Sequence, residues 1–200
     1  TTVVGYLLTG DGRELGSVGR LNPQMTYGAD VISRINYSLE NSQEPLSSVI
    51  RNTLKEQILH LCKQQGISDT EIRTIAIVGN TCMHHMLMAI DPRPLVTPPY
   101  SPGEKRPLQV AAMELLGICP NAQVRVFPNI AGFVGGDTVG CMTALQFDKL
   151  TEPSLLIDIG TNGELVMTDG KKMLACSTAA GPAFEGAKIS CGMRAADGAI

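Results

Sequence analysis

Apolar residues recur along the first part of the chain with two spacings, one typical of strands and one typical of helices. Segments 1–8 and 14–18 are rich in apolar and β-branched residues and flank a Thr-Gly-Asp-Gly turn, which predicts a β-hairpin. Segments 29–39 and 49–62 place an apolar side chain every three to four positions, so both are predicted to be amphipathic helices. Gly66 is predicted to end the second of these helices.

The middle of the chain continues to alternate between the two spacings, and this alternation predicts an α/β fold. Segment 91–107 interrupts it with six prolines, which exclude a regular helix or a central strand and predict an irregular surface connection. The predicted elements of the middle part are a strand at 74–78, helices at 82–90 and 110–116, a strand at 123–127 and a helix at 136–147.

The sequence pattern changes near Ser154, where short apolar segments separated by turn residues predict a β-meander. Segment 178–200 is rich in Gly and Ala and is predicted to form loops with at most one short helix. The strands of the meander are predicted at 155–158, 164–168 and 173–177.

The chain also contains an internal echo. Segment 161–170 resembles segment 1–12, since each has a threonine, an apolar strand and a glycine turn. The echo predicts a duplicated motif whose first copy begins before residue 1. Chance similarity between two hairpins is the alternative.

Composition and charge narrow the class of protein. The chain is 44% hydrophobic and only 18% charged, with a formal net charge of -3, which is typical of a soluble globular protein. Because it has no basic stripe, nucleic acid is not an expected partner, and its longest apolar runs are far too short to cross a membrane. We expect a cytoplasmic protein, since no secretory signal is visible.

The cysteines give little sign of special chemistry. They are scattered and form no CxxC pair, so we predict buried thiols, with a disulfide as the open alternative. An iron–sulfur cluster is not expected within these residues, because its ligands are usually closely grouped thiolates. The six cysteines are at positions 62, 82, 119, 141, 176 and 191.

The sharpest site candidate is segment 158–163 (DIGTNG), in which an apolar strand, predicted to be buried, delivers the carboxylate of Asp158 at its end. Glycines on both sides of the Thr-Asn pair permit a tight turn whose backbone N–H groups stay open to an anion such as phosphate. In this interpretation Thr161 donates its hydroxyl to a phosphate oxygen, and Asp158 holds the hydration shell of Mg²⁺. An ordinary hairpin turn explains the same residues equally well.

A second candidate is segment 132–138 (GFVGGDT), at the start of the predicted helix 136–147. In the favoured interpretation Asp137 or Thr138 caps that helix, because side-chain oxygens satisfy the free N–H groups of a first turn. In the alternative, the three glycines bring the backbone close to a ligand, and Asp137 positions a water molecule or a metal ion.

Other candidate residues are less specific. In segment 179–187, the small residues around Glu185 suit either a ligand or close packing between lobes. His84 and His85 are adjacent on a predicted helix and point in different directions, so a structural role is favoured over metal binding. Segment 79–81 (GNT), at a strand end, is either a helix cap or part of the rim of a cleft.

Five strings, taken in order, resemble the middle and C-terminal regions of the reductive activators of corrinoid proteins, and they extend over nearly the whole chain. They are NPQMTYGADVISRI, IVGNTCMHHMLM, AGFVGGDTVG, LLIDIGTNGELV and STAAGPAFEGAKISCGMRAADGAI. The resemblance implies an actin-like ATPase fold with ribonuclease H-like lobes, of the type found in acetate kinase, sugar kinases, Hsp70 and actin. It divides the chain into an N-terminal α/β lobe at 1–130, an interlobe connecting helix at 131–150 and the start of a second, β-rich lobe at 151–200.

The resemblance also implies roles for particular residues. Proteins of this type bind ATP between their two lobes, and each lobe contributes a hairpin phosphate loop. Asp137 would then orient the attacking water, and Asp158 would be the second catalytic residue and the ligand of Mg²⁺. The implied nucleotide-binding residues are Thr1 and Thr2 in the first loop, Gly160, Thr161, Asn162 and Gly163 in the second, and Gly181 and Glu185 beyond it.

The implied function is the ATP-dependent return of a corrinoid cofactor from Co(II) to Co(I) in corrinoid-dependent methyl transfer. A ferredoxin-like domain with a [2Fe-2S] cluster, absent from these residues, would pass electrons from an electron donor to a corrinoid protein partner. A homodimer is a further option. Two other functions stay open: a small-molecule phosphotransferase of the acetate or sugar kinase type, and a non-catalytic module that grips a partner when ATP binds.

The sequence departs from the family pattern at both ends. The aspartate and glycine expected immediately before Thr1 are missing, and so is the glycine-rich adenosine segment expected in the second lobe. We therefore expect these residues alone to bind nucleotide weakly and to have little or no activity.

Overall fold

The computed structural model describes residues 2–160 and 162–179. The chain divides into two compact units, residues 1–140 and 141–200. Helices and strands alternate through the first unit, and a meander of antiparallel strands dominates the described part of the second, which confirms the predicted α/β fold class.

The first unit begins with a hairpin and continues with helices around a small sheet. Its helix α6 runs past the unit boundary. The elements are β1 (Thr2–Leu8), β2 (Glu14–Leu21), α1 (Val31–Glu40), α2 (Glu44–Gln65), β3 (Thr74–Ile77), α3 (Thr81–Met88), α4 (Arg93–Val96), β4 (Leu108–Ala111), α5 (Ala112–Leu116), β5 (Gln123–Val126) and α6 (Gly136–Ala144), with short 3-10 helices at Pro23–Thr26 and Asp69–Glu71.

The predicted hairpin of β1 and β2 is confirmed, and it packs on α2. The two strands pair antiparallel, with Gly5 opposite Val18. Gln57 of α2 is 2% exposed and donates from Nε2 to the Val3 carbonyl at 2.9 Å, so a buried amide links the helix to the strand backbone. Gly66 ends α2 with a left-handed backbone (φ 65°), as its position predicts.

The sheet of the first unit has the strand order β3-β5-β4. Strands β3 and β5 are parallel, and β4 runs antiparallel to β5. Because β3 and β5 are parallel, their carboxyl ends meet at one edge of the sheet, where Gly79 and Asn129 follow them in the chain. The main apolar core lies against this sheet and contains Leu87, Ala112, Leu116, Ile118, Cys119, Ala122, Val124 and Val126.

A second apolar cluster joins the helices. Ile35, Leu46 and Met86 of α1, α2 and α3 are fully buried in it, together with Cys82 and Leu95. Helix α1 starts at a capping box, because the Asp30 side chain accepts from the Ser33 N–H while Ser33 Oγ accepts from the Asp30 N–H.

The described part of the second unit is an antiparallel meander, as predicted. After a 3-10 turn at Phe147–Lys149, the strands are β6 (Ser154–Ile159), β7 (Gly163–Thr168) and β8 (Met173–Thr178). They lie in the order β6-β7-β8. Segment 180–200, predicted to be loops, lies outside the described residues.

Three expectations are wrong in detail. The helix predicted at 110–116 begins only at Ala112, because Leu108–Ala111 pairs with β5 as a strand. The helix predicted to reach Phe147 ends at Ala144, and segment 91–107 is not wholly irregular, since it contains the one-turn helix α4.

The prediction of buried thiols is only partly right. Cys62, Cys82 and Cys119 are buried thiols, whereas Cys141 and Cys176 are exposed thiols. Cys176 lies on β8, a sheet edge with mostly exposed side chains. Burial raises the pKa of the Cys82 thiol to about 12 and that of Cys119 to about 11, so these two stay protonated.

Candidate functional site

The turn between β6 and β7 carries the sharpest sequence candidate. Asp158 is half-buried near the end of β6, and Ile159 and Gly163 form the last strand pair before the turn. The Gly160 N–H donates to the Asn162 carbonyl at 3.1 Å, which tightens the turn. The arrangement is the strand followed by a tight glycine turn that the sequence predicts, but the strand is not buried as predicted, since Leu155 and Ile157 are 55% and 53% exposed.

Space, rather than unusual backbone torsion, explains both glycines of this turn. Among the described residues, the left-handed glycines are at 12, 66, 117 and 170, so neither Gly160 nor Gly163 is one of them. A Cβ at Gly160 would lie 3.2 Å from Asn162 O, and a Cβ at Gly163 would lie 3.3 Å from Thr178 Cγ2. Any side chain at either position would push on its neighbours.

A row of polar residues crosses the second sheet beside this turn. Asp158 on β6 pairs with Glu164 on β7, which pairs with Ser177 on β8. Ser177 Oγ donates to Glu164 Oε1 at 2.9 Å. Two carboxylates opposite each other repel, so the row gains from a nearby cation.

The two segments of the sequence echo adopt the same local structure. Strands β7 and β8 form an antiparallel hairpin, as β1 and β2 do. Thr9 closes the first hairpin by donating its N–H to the Arg13 carbonyl at 2.9 Å, and Asp169 closes the second by donating to the Lys172 carbonyl at 3.3 Å. Both a duplicated motif and chance similarity would give two hairpins, so this observation does not decide between them.

Asp137 lies in the first turn of α6, where the sequence places a helix start. Its N–H donates to the Gly79 carbonyl at 3.1 Å, and its Oδ1 accepts from the Thr138 N–H at 2.8 Å. The second contact joins two adjacent residues within the first turn, so it is not the N-cap contact that the sequence favours, in which the residue before the helix accepts from an N–H two or three positions further on. Because Gly79 follows β3, the first contact holds Asp137 at the carboxyl edge of the parallel strands, where α/β sheets commonly bind ligands.

The glycines around Asp137 pack against protein backbone. A Cβ at Gly135 would lie 2.5 Å from Thr81 N, and one at Gly136 would lie 3.2 Å from Phe127 Cβ. Gly132 is in similarly close contact with the Tyr100 carbonyl. The alternative interpretation, that these glycines open the backbone to a ligand, is therefore not needed to explain them.

The two adjacent histidines have opposite tautomers, each fixed by its neighbours. His85 Nδ1 lies 2.7 Å from the Thr81 carbonyl and therefore donates to it, while its Nε2 accepts from the Gly103 N–H at 2.9 Å. The Asn129 amide donates to the Glu104 carbonyl at 3.1 Å and contacts His84 Nδ1 at 2.9 Å. His84 Nδ1 is consequently an acceptor, and its proton is on Nε2.

Both histidines are neutral structural residues, as the sequence favours. His84 is 3% exposed and His85 is fully buried. Burial, reinforced by the neighbouring His85, lowers the pKa of His84 to about 4, and burial also lowers the pKa of His85. Through Gly103 and Asn129 they hold the proline-rich segment against α3.

The remaining predicted residues are Thr1, Thr2, Thr161, Gly181 and Glu185. Thr2 is the first described residue, exposed on β1 and paired with Leu21. Two surface cavities of the described chain, of about 300 and 370 Å³, are lined by none of the predicted site residues. Thr1, Thr161, Gly181 and Glu185 lie outside the described residues.

The described residues contain neither a grouped metal site nor a helix that could span a membrane. Within 2–160 and 162–179, no three or more His, Cys, Asp or Glu side chains are grouped as a metal site would require. No helix in that part of the chain combines the length and the apolar character needed to cross a bilayer.

Comparison with known families defines the class of protein. Residues 152–200 match the family described as "C-terminal domain of RACo the ASKHA domain", and residues 1–150 match the "RACo middle region". The second unit therefore belongs to the actin-like ATPase class. The chain as a whole is a member of the RACo family, the reductive activators of corrinoid proteins.

Individual relatives agree with this assignment. The "Corrinoid activation enzyme RamQ" of Eubacterium limosum is 38% identical over 204 residues, which cover 100% of this chain and 34% of that protein. The "[Co(II) methylated amine-specific corrinoid protein] reductase" of Methanosarcina barkeri is 29% identical over 183 residues, covering 86% and 33%. The chain thus spans about one third of the length of these relatives.

A solved structure has the same fold. The "Reductive activator for corrinoid,iron-sulfur protein" superposes with a TM-score of 0.86 at 40% sequence identity. The similarity covers 98% of this chain and 32% of that one. It confirms the fold predicted from the sequence.

Proposed function

We propose that the protein carrying this chain is an ATP-dependent reductive activator that returns a corrinoid cofactor from Co(II) to Co(I), and that this chain supplies its ATP-binding part. The names of its relatives support the corrinoid role. The observation that carries the ATP role is the strand, tight turn and strand at 154–168, within the segment that matches the ASKHA domain. The corrinoid cobalt is the substrate of the reaction.

The proposed phosphate ligands are the backbone N–H groups and the hydroxyl of the β6–β7 turn, 160–163. Turn N–H groups bind anions without any charged side chain, and this short turn joins two paired strands. Thr1 and Thr2 are proposed as a second set of phosphate contacts because of the sequence resemblance between segments 1–12 and 161–170. Gly181 and Glu185 are proposed to contact the nucleotide as well.

Asp158 is proposed to hold Mg²⁺ that arrives with ATP. Magnesium keeps several of its waters and is usually bound by one or two carboxylates plus substrate phosphates, not by an all-protein cage. The described residues fit this requirement, because a half-buried carboxylate stands beside the turn and no three-ligand cage surrounds it. Bound Mg²⁺ would neutralise phosphate charge during hydrolysis.

Asp137 is proposed to orient the water that attacks the terminal phosphate. A carboxylate that accepts a hydrogen bond from water fixes the direction of attack, and this positioning is a large part of phosphoryl-transfer catalysis. Its support is the fixed backbone at Gly79 and its place at the carboxyl edge of the sheet.

ATP is proposed to act on activation through conformation and partner binding. Reducing cobalt needs an electron donor, and a [2Fe-2S] cluster in a ferredoxin-like domain outside these residues is proposed to pass the electron on. ATP has a different affinity for each of two conformations of the activator. Its binding or hydrolysis therefore shifts the activator between them and changes how tightly the activator binds the corrinoid protein. A homodimer of the activator is compatible with this scheme.

The test is Mg²⁺-dependent ATP hydrolysis by the full-length protein and two matched variants. Asp158→Asn removes the proposed metal ligand, whereas Asp148→Asn changes an exposed aspartate of the same unit. We expect Asp158→Asn to lower the hydrolysis rate at least about tenfold and Asp148→Asn to leave it unchanged. Equal rates in both variants would remove Asp158 from the site, and phosphate transfer to acetate or a sugar would indicate a phosphotransferase instead.

A further inference from the structure

The junction between β3 and α3 anchors the loop that leads into α6. Thr81, the first residue of α3, is 1% exposed, and its hydroxyl donates to the Ala131 carbonyl at 2.8 Å. Ala131 is part of a tight turn in which the N–H groups of Ile130 and Ala131 both donate to the Val134 carbonyl. The Thr81 hydroxyl therefore fastens this turn to α3.

Backbone contacts continue from that turn to Asp137. A Cβ at Gly135 would lie 2.5 Å from Thr81 N, so the two peptide backbones touch. Two residues later, the Asp137 N–H donates to the Gly79 carbonyl at 3.1 Å. The first turn of α6 thus lies along the β3–α3 junction, with Thr81 at the centre of the contact.

Ordinary helix capping does not explain this hydroxyl. The N-cap of α3 is Asn80, whose side chain accepts from the Met83 N–H at 2.9 Å. Thr81 is the next residue, and its hydroxyl bonds to a carbonyl far away in sequence instead of one in its own helix. The hydrogen bond therefore holds the start of α3 against the turn at Ala131, 50 residues away in the sequence, and is not part of the helix cap.

We propose that Thr81 is a positioning residue that sets where Asp137 stands during ATP hydrolysis, an inference that rests on the function proposed above. Its hydroxyl fixes the turn at Ala131, and the turn fixes Gly135 against the junction. The position of Asp137 follows from both contacts. Small displacements of a catalytic group reduce the rate of a reaction much more than they reduce substrate binding.

The experiment compares Thr81→Val, Thr81→Ser, Asp137→Asn and the double variant Thr81→Val/Asp137→Asn in the full-length protein. Valine keeps the shape of threonine but removes the hydroxyl, whereas serine keeps the hydroxyl. The measurements are kcat and KM for ATP hydrolysis, with Tm to monitor folding. We expect Thr81→Val to lower kcat about tenfold with KM changed less than about twofold, and Thr81→Ser to restore most of the rate.

The double variant separates positioning from general stability. If Thr81 acts through Asp137, Thr81→Val lowers kcat no further once Asp137 is asparagine. The proposal is overturned if Thr81→Val lowers only Tm, if serine fails to restore kcat, or if the two losses simply multiply. Should Asp137→Asn itself leave kcat unchanged, the role of Asp137 in the proposed function fails, and the inference about Thr81 fails with it.

Discussion

Asp158 on β6 and Glu164 on β7 stand directly opposite each other across two antiparallel strands, beside the proposed phosphate turn. Like charges in such a pair destabilise a sheet by roughly 0.2–1 kcal/mol. Ser177 donates a hydrogen bond to Glu164 and so offsets part of the cost on that side. A cation bound beside the pair would weaken the repulsion further.

The pairing of Asp158 with Glu164 predicts that Asp158→Asn weakens the binding of Mg²⁺ and ATP without lowering the stability of the ligand-free protein. Removing one of the two charges should leave the free energy of unfolding unchanged or raise it by up to about 0.5 kcal/mol without nucleotide. The extra stability that saturating Mg²⁺ and ATP give the wild type should disappear in the variant. Thermal unfolding of the full-length protein with and without Mg²⁺ and ATP measures both effects.

Asp148→Asn serves as the control in that experiment, because Asp148 is exposed in a 3-10 turn of the same unit. It should keep the full shift with Mg²⁺ and ATP. An undiminished ligand shift in Asp158→Asn would contradict the assignment of Asp158 as a metal ligand.

The buried His84 predicts a loss of stability in mild acid. Its pKa is lowered from 6.5 to about 4 on folding, so the unfolded state binds the proton more tightly. The stabilisation is complete above pH 6.5 and declines as the pH falls towards 4; the loss at pH 5 is about 2 kcal/mol. Urea unfolding at pH 7.5 and pH 5 measures this change.

Two histidine variants test whether His84 causes the loss of stability in acid. His84→Gln should lower stability at pH 7.5 and reduce the further loss between pH 7.5 and pH 5, because the titrating group is gone. His60→Gln, which changes an exposed histidine of α2, should leave the acid-induced loss as in the wild type. If the pH dependence of His84→Gln equals that of the wild type, His84 is not its source.

The close contact at Gly135 predicts that alanine is not tolerated there. An added Cβ would lie 2.5 Å from the backbone N of Thr81, so the loop before α6 must move. We expect Gly135→Ala to destabilise the protein by roughly 1–3 kcal/mol. Gly10→Ala is the matched control, since no atom lies within 4 Å of its Cβ position.

Chemical denaturation of both glycine variants gives the comparison. Gly135→Ala should also lower ATP hydrolysis, because the displaced loop carries Asp137. Equal stability of the two variants would show that the packing at Gly135 is looser than the structure indicates.

Most strands and helices were predictable because their signals are local. The spacing of apolar residues in α1 and α2 and the glycine that ends α2 depend only on near neighbours. The error at 110–116 arises from a long-range pairing: β4 forms because β5 offers it a partner, and periodicity does not contain that information. The exposure of Cys176 depends on its place at a sheet edge in the same way.

The candidate site was predictable to a similar extent. A strand that carries Asp158 near its end and leads into a glycine turn is a local pattern, and the structure has it. The contact of Gly135 with Thr81 joins segments far apart in the chain. The sequence therefore indicated that the glycines of segment 132–138 matter, but it did not show that Gly135 is needed for close packing on Thr81. The hydrogen bonds that fix the tautomers of His84 and His85 were hidden for the same reason.

In the proposed function, the β6–β7 turn controls corrinoid activation without taking part in electron transfer. The most direct measurement follows Co(I) formation on the corrinoid protein and reduction of the iron–sulfur cluster side by side, in full-length wild type and Asp158→Ala with ATP present. We predict that the variant forms Co(I) at least about tenfold more slowly, while its cluster stays spectroscopically intact and reducible. Formation of Co(I) at the wild-type rate by the variant would show that Asp158 and its turn do not control activation.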